Sequence, residues 1–211
     1  TKLDVKTEYY PDGKVKIKAT FKDDKPEGVW REYDKDGKIK ISYVYKDGNI
    51  VGEGIISEKG ERMGMWKEFY DDGSLKSEGR FDHDVRTGSW IYYHENGIVE
   101  QKGIYDSLGR PEGLWQWYYA SGSVQGKENF KNGLSDGELI EYDELGNIIL
   151  KANYWRGMED GYWNYEIGDH REEGEYIEGM RDGEWKSYYK NGQLKFKGKF
   201  VEDTPHGEHV W

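Results

Sequence analysis

The sequence contains no cysteine, and this absence excludes disulfide bonds, thiolate metal sites and cysteine nucleophiles. It has no run approaching about 18 apolar residues, so a transmembrane helix is not expected. Basic residues are outnumbered, with 31 Lys and Arg against 42 Asp and Glu and a formal net charge of -11. Nucleic acid is therefore not expected as a partner, and an anionic lipid surface is disfavoured. A cationic partner stays open, as does an uncharged one such as a glycan.

Aliphatic residues are also scarce. Hydrophobic residues make up only 35% of the chain, yet aromatic residues reach 16%, with 18 Tyr and 9 Trp, and Gly occurs 29 times. The apolar surface therefore comes mainly from rings. This composition disfavours a helical bundle and favours short strands joined by tight turns.

The chain is built from an internal repeat that begins with Gly-x-Trp. Degenerate copies begin at Gly137 and Gly207, and successive first glycines are separated by 36, 24, 25, 24, 24, 22 and 24 residues. The six full copies are Gly28-Trp30, Gly64-Trp66, Gly88-Trp90, Gly113-Trp115, Gly161-Trp163 and Gly183-Trp185.

Three further positions recur when each repeat is numbered from its first glycine as zero. Offset nine is a second glycine, offset eleven is aliphatic and offset seventeen is aromatic. The glycines are Gly37, Gly73, Gly97, Gly122, Gly146 and Gly192. The aliphatic residues are Ile39, Leu75, Val99, Val124, Ile148 and Leu194. The aromatic residues are Tyr45, Phe81, Tyr105, Phe130, Tyr154 and Phe200.

This periodicity predicts a single repeat array over residues 1–211, with units starting near residues 4, 28, 64, 88, 113, 137, 161 and 183. A half unit near residue 52, "GEGIISEKGERM", predicts one missing or extra strand and a local break in regularity. A partial unit begins near residue 207. The 22-residue step indicates a shortened first turn in the Gly161 repeat.

Each unit predicts two short strands and two turns, because Asp-Gly and Asn-Gly pairs tolerate the positive φ of hairpin turns. We therefore expect an all-β fold: an elongated antiparallel meander of stacked hairpins in a single twisted, curved sheet. Offsets two and five carry Trp and Tyr and differ by an odd number. Simple alternation places these rings on opposite faces unless a bulge intervenes.

The repeat resembles the bacterial variant of the MORN (membrane occupation and recognition nexus) repeat. The similarity is carried by "GMWKEFYDDGSLKSEGRF" from Gly64 and "GEWKSYYKNGQLKFKGKF" from Gly183, and it extends from about residue 4 to residue 211. Secreted Tyr-Asp repeats fit less well, because the Glu-Tyr-Asp form occurs in only two units, whereas Gly-x-Trp recurs in six. Choline-binding repeats place Gly and Trp next to each other, whereas here one residue separates them. The resemblance implies an array of β-hairpins and an interaction scaffold, and it supplies no catalytic residue.

Rings outside the repeat positions are the candidate partner-binding surface. They are Trp117, Trp155, Trp211, Tyr92 and Tyr119. Trp155 interrupts a turn that in other units holds Lys-Asn or Lys-Asp, so it is expected at a turn tip or packed on a neighbouring turn. The tryptophans of Gly-x-Trp are expected to form the core instead.

Sequence motifs for chemistry are missing. The chain has no Gly-x-Ser-x-Gly elbow, phosphate loop or His-Glu-x-x-His motif. His206 and His209 lie near acidic residues, but His209 stands at a repeat tryptophan position, and Asp82–Asp84 is expected to be a solvated turn. We expect neither catalytic residues nor a cofactor or metal.

Two functions from different classes remain. The first is a non-enzymatic scaffold that binds a protein through an aromatic-rich sheet face. The alternative is a carbohydrate-binding module of the cell envelope that stacks glycans on exposed Trp and Tyr. The compartment stays open, although the aromatic, Gly-rich, Cys-free composition favours a bacterial envelope.

Overall fold

In the computed structural model, which describes residues 3–211, the chain folds as a meander of β-strands without a helix. Consecutive strands pair antiparallel, and all strands belong to one sheet, so the predicted all-β meander of stacked hairpins is confirmed. The strands are β1 (Asp4–Tyr9), β2 (Val15–Lys22), β3 (Lys25–Tyr33), β4 (Ile39–Lys46), β5 (Asn49–Ile56), β6 (Arg62–Phe69), β7 (Leu75–Asp82), β8 (Val85–Tyr93), β9 (Val99–Tyr105), β10 (Pro111–Tyr118), β11 (Val124–Lys131), β12 (Leu134–Tyr142), β13 (Ile148–Trp155), β14 (Met158–Glu159), β15 (Gly161–Ile167), β16 (His170–Ile177), β17 (Met180–Tyr189), β18 (Leu194–Val201) and β19 (Thr204–Val210).

The strands group into two compact units. The first contains the residues up to Val99 together with Tyr105–Gly109, and the second contains Glu100–Ile104 together with Arg110–Trp211. Among residues 3–211 there is no helix of the length and apolarity that crossing a bilayer requires.

Each regular repeat contains two strands and two different turns. The first turn is closed by the glycine at offset nine, as in the Gly64 repeat, where Gly73 has a φ of 85° and donates its N–H to the carbonyl oxygen of Tyr70 at 2.9 Å. The second turn has two central residues with positive φ, such as His83 at 48° and Asp84 at 65°. Turns with two such residues match the right-handed twist of paired strands. The turn chemistry therefore produces the hairpins that the sequence predicts.

A register shift recurs in the first hairpin of the repeats, between offsets four and five. The extra residue lies on the second strand of the hairpin, as Lys76 does between the partners of Phe69 and Glu68. It therefore does not interrupt alternation along the first strand, and opposite faces for the rings at offsets two and five stay a prediction. The shift lies between the residues of six pairs: Glu8/Tyr9, Glu32/Tyr33, Glu68/Phe69, Trp117/Tyr118, Glu141/Tyr142 and Ser187/Tyr188.

The half unit near residue 52 forms one extra strand, β5, so two strands rather than one lie between β3 and β6. The Gly-x-Trp strand β6 therefore runs antiparallel to β3. Because the strand direction is reversed, the tryptophan of β6 must lie on the face of the sheet opposite to that of the β3 tryptophan. The contacts agree with this argument. Trp30 pairs with Tyr43, and Val29 pairs with Val44 on the other face. It is Val29 and Val44 that pack against the cluster around Trp66. The aromatic core of the first compact unit thus changes face at β5.

The core of each regular repeat is a tryptophan lying on a glycine. Trp66 and Trp90 lie opposite Gly79 from its two neighbouring strands, and a β-carbon on Gly79 would overlap the Trp90 ring. Trp90 is fully buried and donates its indole N–H to the carbonyl oxygen of Arg80 at 3.1 Å. Phe81 contacts both indoles edge-on, with centroid distances of 6.3 and 4.9 Å. Offset fifteen, the position of Gly79, must therefore stay small wherever the following repeat has Trp at offset two.

Candidate functional site

The five candidate rings do not share one environment. Trp155 and Trp211 are 43% and 88% exposed, whereas Tyr92, Trp117 and Tyr119 are half-buried. The structure brings Trp117 and Tyr119 together in one groove and places the other three elsewhere.

Tyr92 lies among the core rings of the first compact unit. Its ring stacks on Trp90 at 5.8 Å, and its hydroxyl lies 3.1 Å from the hydroxyl of Tyr105. Burial raises the pKa of Tyr92. These contacts account for Tyr92 without any partner.

Trp155 is the last residue of β13 and pairs with Met158, and the guanidinium of Arg156 lies 4.6 Å from its ring. The sequence predicts Trp155 at a turn tip or packed on a neighbouring turn, but the turn itself is formed by Arg156 and Gly157. Trp211 follows β19 and its ring lies 4.9 Å from that of Phe196. The two exposed tryptophans thus flank a turn and follow a strand, and they do not form a series at repeat spacing.

The second compact unit has a groove of about 290 Å³ over strands β10, β11 and β12. Its walls combine aromatic rings and carboxylates, and no lysine or arginine lines it. The lining residues are Trp117, Tyr119, Gln125, Gly126, Glu128, Leu139, Glu141, Tyr142 and Ile149.

The groove lies in the Gly137 repeat, which lacks the tryptophan of Gly-x-Trp. In the Gly137 repeat the tryptophan position holds Leu139, and the preceding offset fifteen holds Glu128 instead of glycine. Trp115, Glu128 and Leu139 lie opposite one another across β10, β11 and β12. The same three positions hold Trp66, Gly79 and Trp90 in β6, β7 and β8. A leucine fills less of the space than an indole, so the sheet face is left open at this point.

Trp117 forms one wall of the groove and is held from behind. Its indole N–H donates to Oε1 of Gln101 at 2.9 Å, and its ring lies 6.4 Å from Trp115 and 6.5 Å from Phe130. The ring is therefore fixed in position while one side of it lines the groove.

Tyr119 forms a second wall and links two repeats. Its hydroxyl donates to the carbonyl oxygen of Tyr142 at 2.8 Å. The same bond, from offset six to offset five of the next repeat, recurs from Tyr10 to Tyr33 and from Tyr70 to Tyr93. Tyr119 therefore offers a partner its ring, because its hydroxyl proton is already used.

The two carboxylates of the groove differ in their partners. Glu128 accepts a hydrogen bond from the Ser135 hydroxyl. Glu141 has no hydrogen-bond or ion-pair partner among residues 3–211. Partial desolvation, followed by the charge of Glu128, raises the pKa of Glu141. The groove therefore presents negative charge beside ring faces, a combination that attracts cations.

His209 takes the place of the repeat tryptophan in β19. Its ring lies 5.6 Å from both Phe196 and Phe200, and a β-carbon on Gly198 would crowd it. Within the part of the chain that the structure describes, no three His, Asp or Glu side chains lie close enough to hold a metal ion. His209 is thus packed as a ring, with His206 exposed nearby in the same strand.

Two walls of the groove, Trp117 and Tyr119, were predicted from the sequence, and its carboxylates were not. Glu128, Leu139 and Glu141 were not predicted because the sequence alone does not show that the glycine at offset fifteen lies under an indole. The signal was present: Gly137 begins a degenerate copy, and Glu128 is an acidic residue where three of the repeats have Gly79, Gly103 and Gly198.

Comparison with known proteins gives one family. A family model described as a MORN repeat variant matches seven segments, residues 5–23, 26–54, 64–83, 86–107, 111–132, 135–156 and 181–202. No curated protein matches the chain.

Two solved structures show a distant similarity to the chain. The crystal structure of TcdB2-TccC3-TEV is 10% identical over 94% of this chain, with a TM-score of 0.24. A Tc holotoxin pore from Photorhabdus luminescens is 11% identical over 93%, with a TM-score of 0.18. The chain spans only 14% and 15% of those chains. Similarity at this level supports no inference about the function of this chain.

Proposed function

Because the chain belongs to the MORN repeat variant family, whose repeats generally serve as interaction scaffolds, we propose that it is a non-enzymatic scaffold for a protein partner. The groove beside Leu139 is the proposed contact site. The observation that carries this proposal is the missing tryptophan, since the other repeat rings are largely used to hold the sheet together.

The size of the groove favours a protein side chain over a glycan. Small-molecule pockets usually have volumes of about 300–1,000 Å³, and this groove, at about 290 Å³, lies at the lower limit. It accommodates one large side chain with part of its backbone. A glycan-binding module needs a series of exposed rings, but Trp66, Trp90, Trp115 and Trp185 are buried.

The groove has the features of an interface centre. Aromatic residues fixed by their own neighbours dominate the binding energy of many interfaces, and they lose little conformational entropy on binding. Trp117 and Tyr119 are held in this way by Gln101 and Tyr142. The contact therefore needs little rearrangement of the scaffold.

Photo-crosslinking from two positions tests the proposal. A benzophenone amino acid at position 125, an exposed residue that lines the groove, leaves Leu139 in place, and the same residue at position 114 faces the opposite side of the sheet, beside the buried Trp115. In extracts of the source organism, we expect one discrete protein adduct from position 125 that excess unlabelled scaffold suppresses. Equal adducts from both positions would contradict the proposal. Quenching of tryptophan fluorescence by a glycan, without a protein adduct, would favour the carbohydrate alternative.

A further inference from the structure

We propose that the groove receives an arginine side chain of the partner, with the guanidinium against the ring of Trp117 and between the carboxylates of Glu128 and Glu141. This inference rests on the proposed function and specifies the chemistry of the contact. It comes from comparing one position, offset four, in two repeats.

In the Gly64 repeat, offset four is Glu68, and the chain itself supplies its cations. Arg62 and Arg86 lie 3.4 and 3.9 Å from the Glu68 carboxylate. Both guanidinium groups also lie on rings, Arg62 at 3.9 Å from Phe81 and Arg86 at 4.9 Å from Trp90. This repeat therefore already combines carboxylate, arginine and aromatic ring.

In the Gly137 repeat, offset four is Glu141, and both arginine positions are lost. Ser135 stands where the Gly64 repeat has Arg62, and Glu159 stands where it has Arg86. In the Gly64 repeat the hydroxyl of Ser77 also donates a hydrogen bond to Glu68 at 2.8 Å. In the Gly137 repeat Leu150 occupies the position of Ser77, so this hydrogen bond is absent as well. All three groups that hold Glu68 are thus missing around Glu141.

The charge environment of Glu141 agrees with this loss of cations. Its pKa is raised by partial desolvation and by the charge of Glu128, and no nearby cation offsets these effects. A cation in the groove would relieve the repulsion between the two carboxylates. The excess of acidic residues over the whole chain also favours a basic partner segment.

Arginine suits the groove better than lysine. A guanidinium is planar, stacks on an indole face and bonds carboxylates through several N–H groups at once. An ammonium is a compact, strongly hydrated charge, and entering a partly desolvated groove costs it more of its hydration. The arginines on Phe81 and Trp90 show that this sheet already accommodates guanidinium groups against its rings.

Titration with short peptides tests the inference. The probes are acetyl-Gly-Arg-Gly-amide and its citrulline counterpart, which keeps the shape of the side chain but carries no charge. The readout is the indole N–H signal of Trp117 in ¹H–¹⁵N spectra of the whole chain. We expect a saturable shift with the arginine peptide and at least about tenfold weaker binding of the citrulline peptide.

Two variants with equal loss of charge provide the control. Glu141→Gln should weaken arginine binding at least about fivefold, whereas Glu144→Gln, in the adjacent exposed turn, should leave it unchanged. Equal binding of both peptides, equal effects of both variants, or no saturable shift of Trp117 would each overturn the inference. Because these titrations need no partner, a discrete adduct from position 125 combined with a negative titration leaves the scaffold proposal intact. A saturable shift of Trp117 without any adduct would instead support the arginine site and count against the scaffold proposal.

Discussion

Glu128 and Leu139 lie directly opposite each other in β11 and β12, at the positions that hold Gly79 and Trp90 in β7 and β8. Two neighbouring repeats thus have a glutamate and a leucine in place of a glycine and a tryptophan at a single contact. The exchange opens the groove and places a carboxylate in it. The two residues are therefore expected to depend on each other.

Exchanging both residues back should show this dependence. Glu128→Gly alone should lower the free energy of unfolding by about 1 kcal/mol, because glycine is unfavourable in a strand and no indole covers it. Leu139→Trp alone should lower it by about 1–3 kcal/mol, because the indole meets the Glu128 side chain. In the double variant the indole lies on a glycine, and the two effects should fail to add by about 1 kcal/mol or more. Urea unfolding of the four proteins measures this coupling, and additive energies would refute the dependence.

Gly79 should be intolerant of a methyl group. A β-carbon there overlaps the Trp90 ring, so Gly79→Ala should lower the free energy of unfolding by about 1–3 kcal/mol through overpacking. Gly126→Ala is the matched control. Neither glycine has a positive φ, and a β-carbon at Gly126 meets the carbonyl oxygen of Ile140 at 3.3 Å. Urea unfolding should show a smaller loss for Gly126→Ala, and equal losses would argue against the glycine–tryptophan contact.

The hydroxyl of Tyr119 should contribute to stability through its bond to the next repeat. Tyr119→Phe removes the hydrogen bond to the carbonyl oxygen of Tyr142 and should lower the free energy of unfolding by about 1 kcal/mol. Tyr189 holds the same offset in the Gly183 repeat, but its side chain is exposed and its hydroxyl makes no hydrogen bond among residues 3–211. Tyr189→Phe should therefore change little. Thermal unfolding measures both variants, and equal effects would show that the bond between repeats is not what stabilises this position.

The raised pKa of Glu141 sets the sign of a pH effect. A carboxyl whose pKa is higher in the folded chain favours folding when protonated, and this contribution is lost as pH rises through its folded pKa. Glu141→Gln keeps the neutral form at all pH values, so it should stabilise the chain at about pH 7 and give little gain at about pH 3. Urea unfolding at both pH values checks this, with Glu144→Gln as the control. Destabilisation by Glu141→Gln at neutral pH would contradict the assigned environment.

Most of the architecture follows from periodicity, because Gly-x-Trp and the turn glycines recur at fixed offsets. The extra strand β5 was predicted as a break of phase, but the change of face that it causes depends on strand direction. The site was predictable only in part. Trp117 and Tyr119 draw attention as rings outside the strongest repeat positions, whereas Glu128 and Glu141 are two of many acidic residues in the chain. Their significance depends on which side chains lie opposite them, and a single sequence does not show this.

The central claim is that the groove beside Leu139, in the Gly137 repeat, is the binding site. It is tested most directly by the affinity of the protein captured from position 125 for two scaffolds, the unmodified chain and the double variant Glu128→Gly with Leu139→Trp. The double variant restores the indole and fills the groove, so the affinity should fall at least about tenfold while the chain stays folded. Unchanged affinity in a folded double variant would contradict the claim.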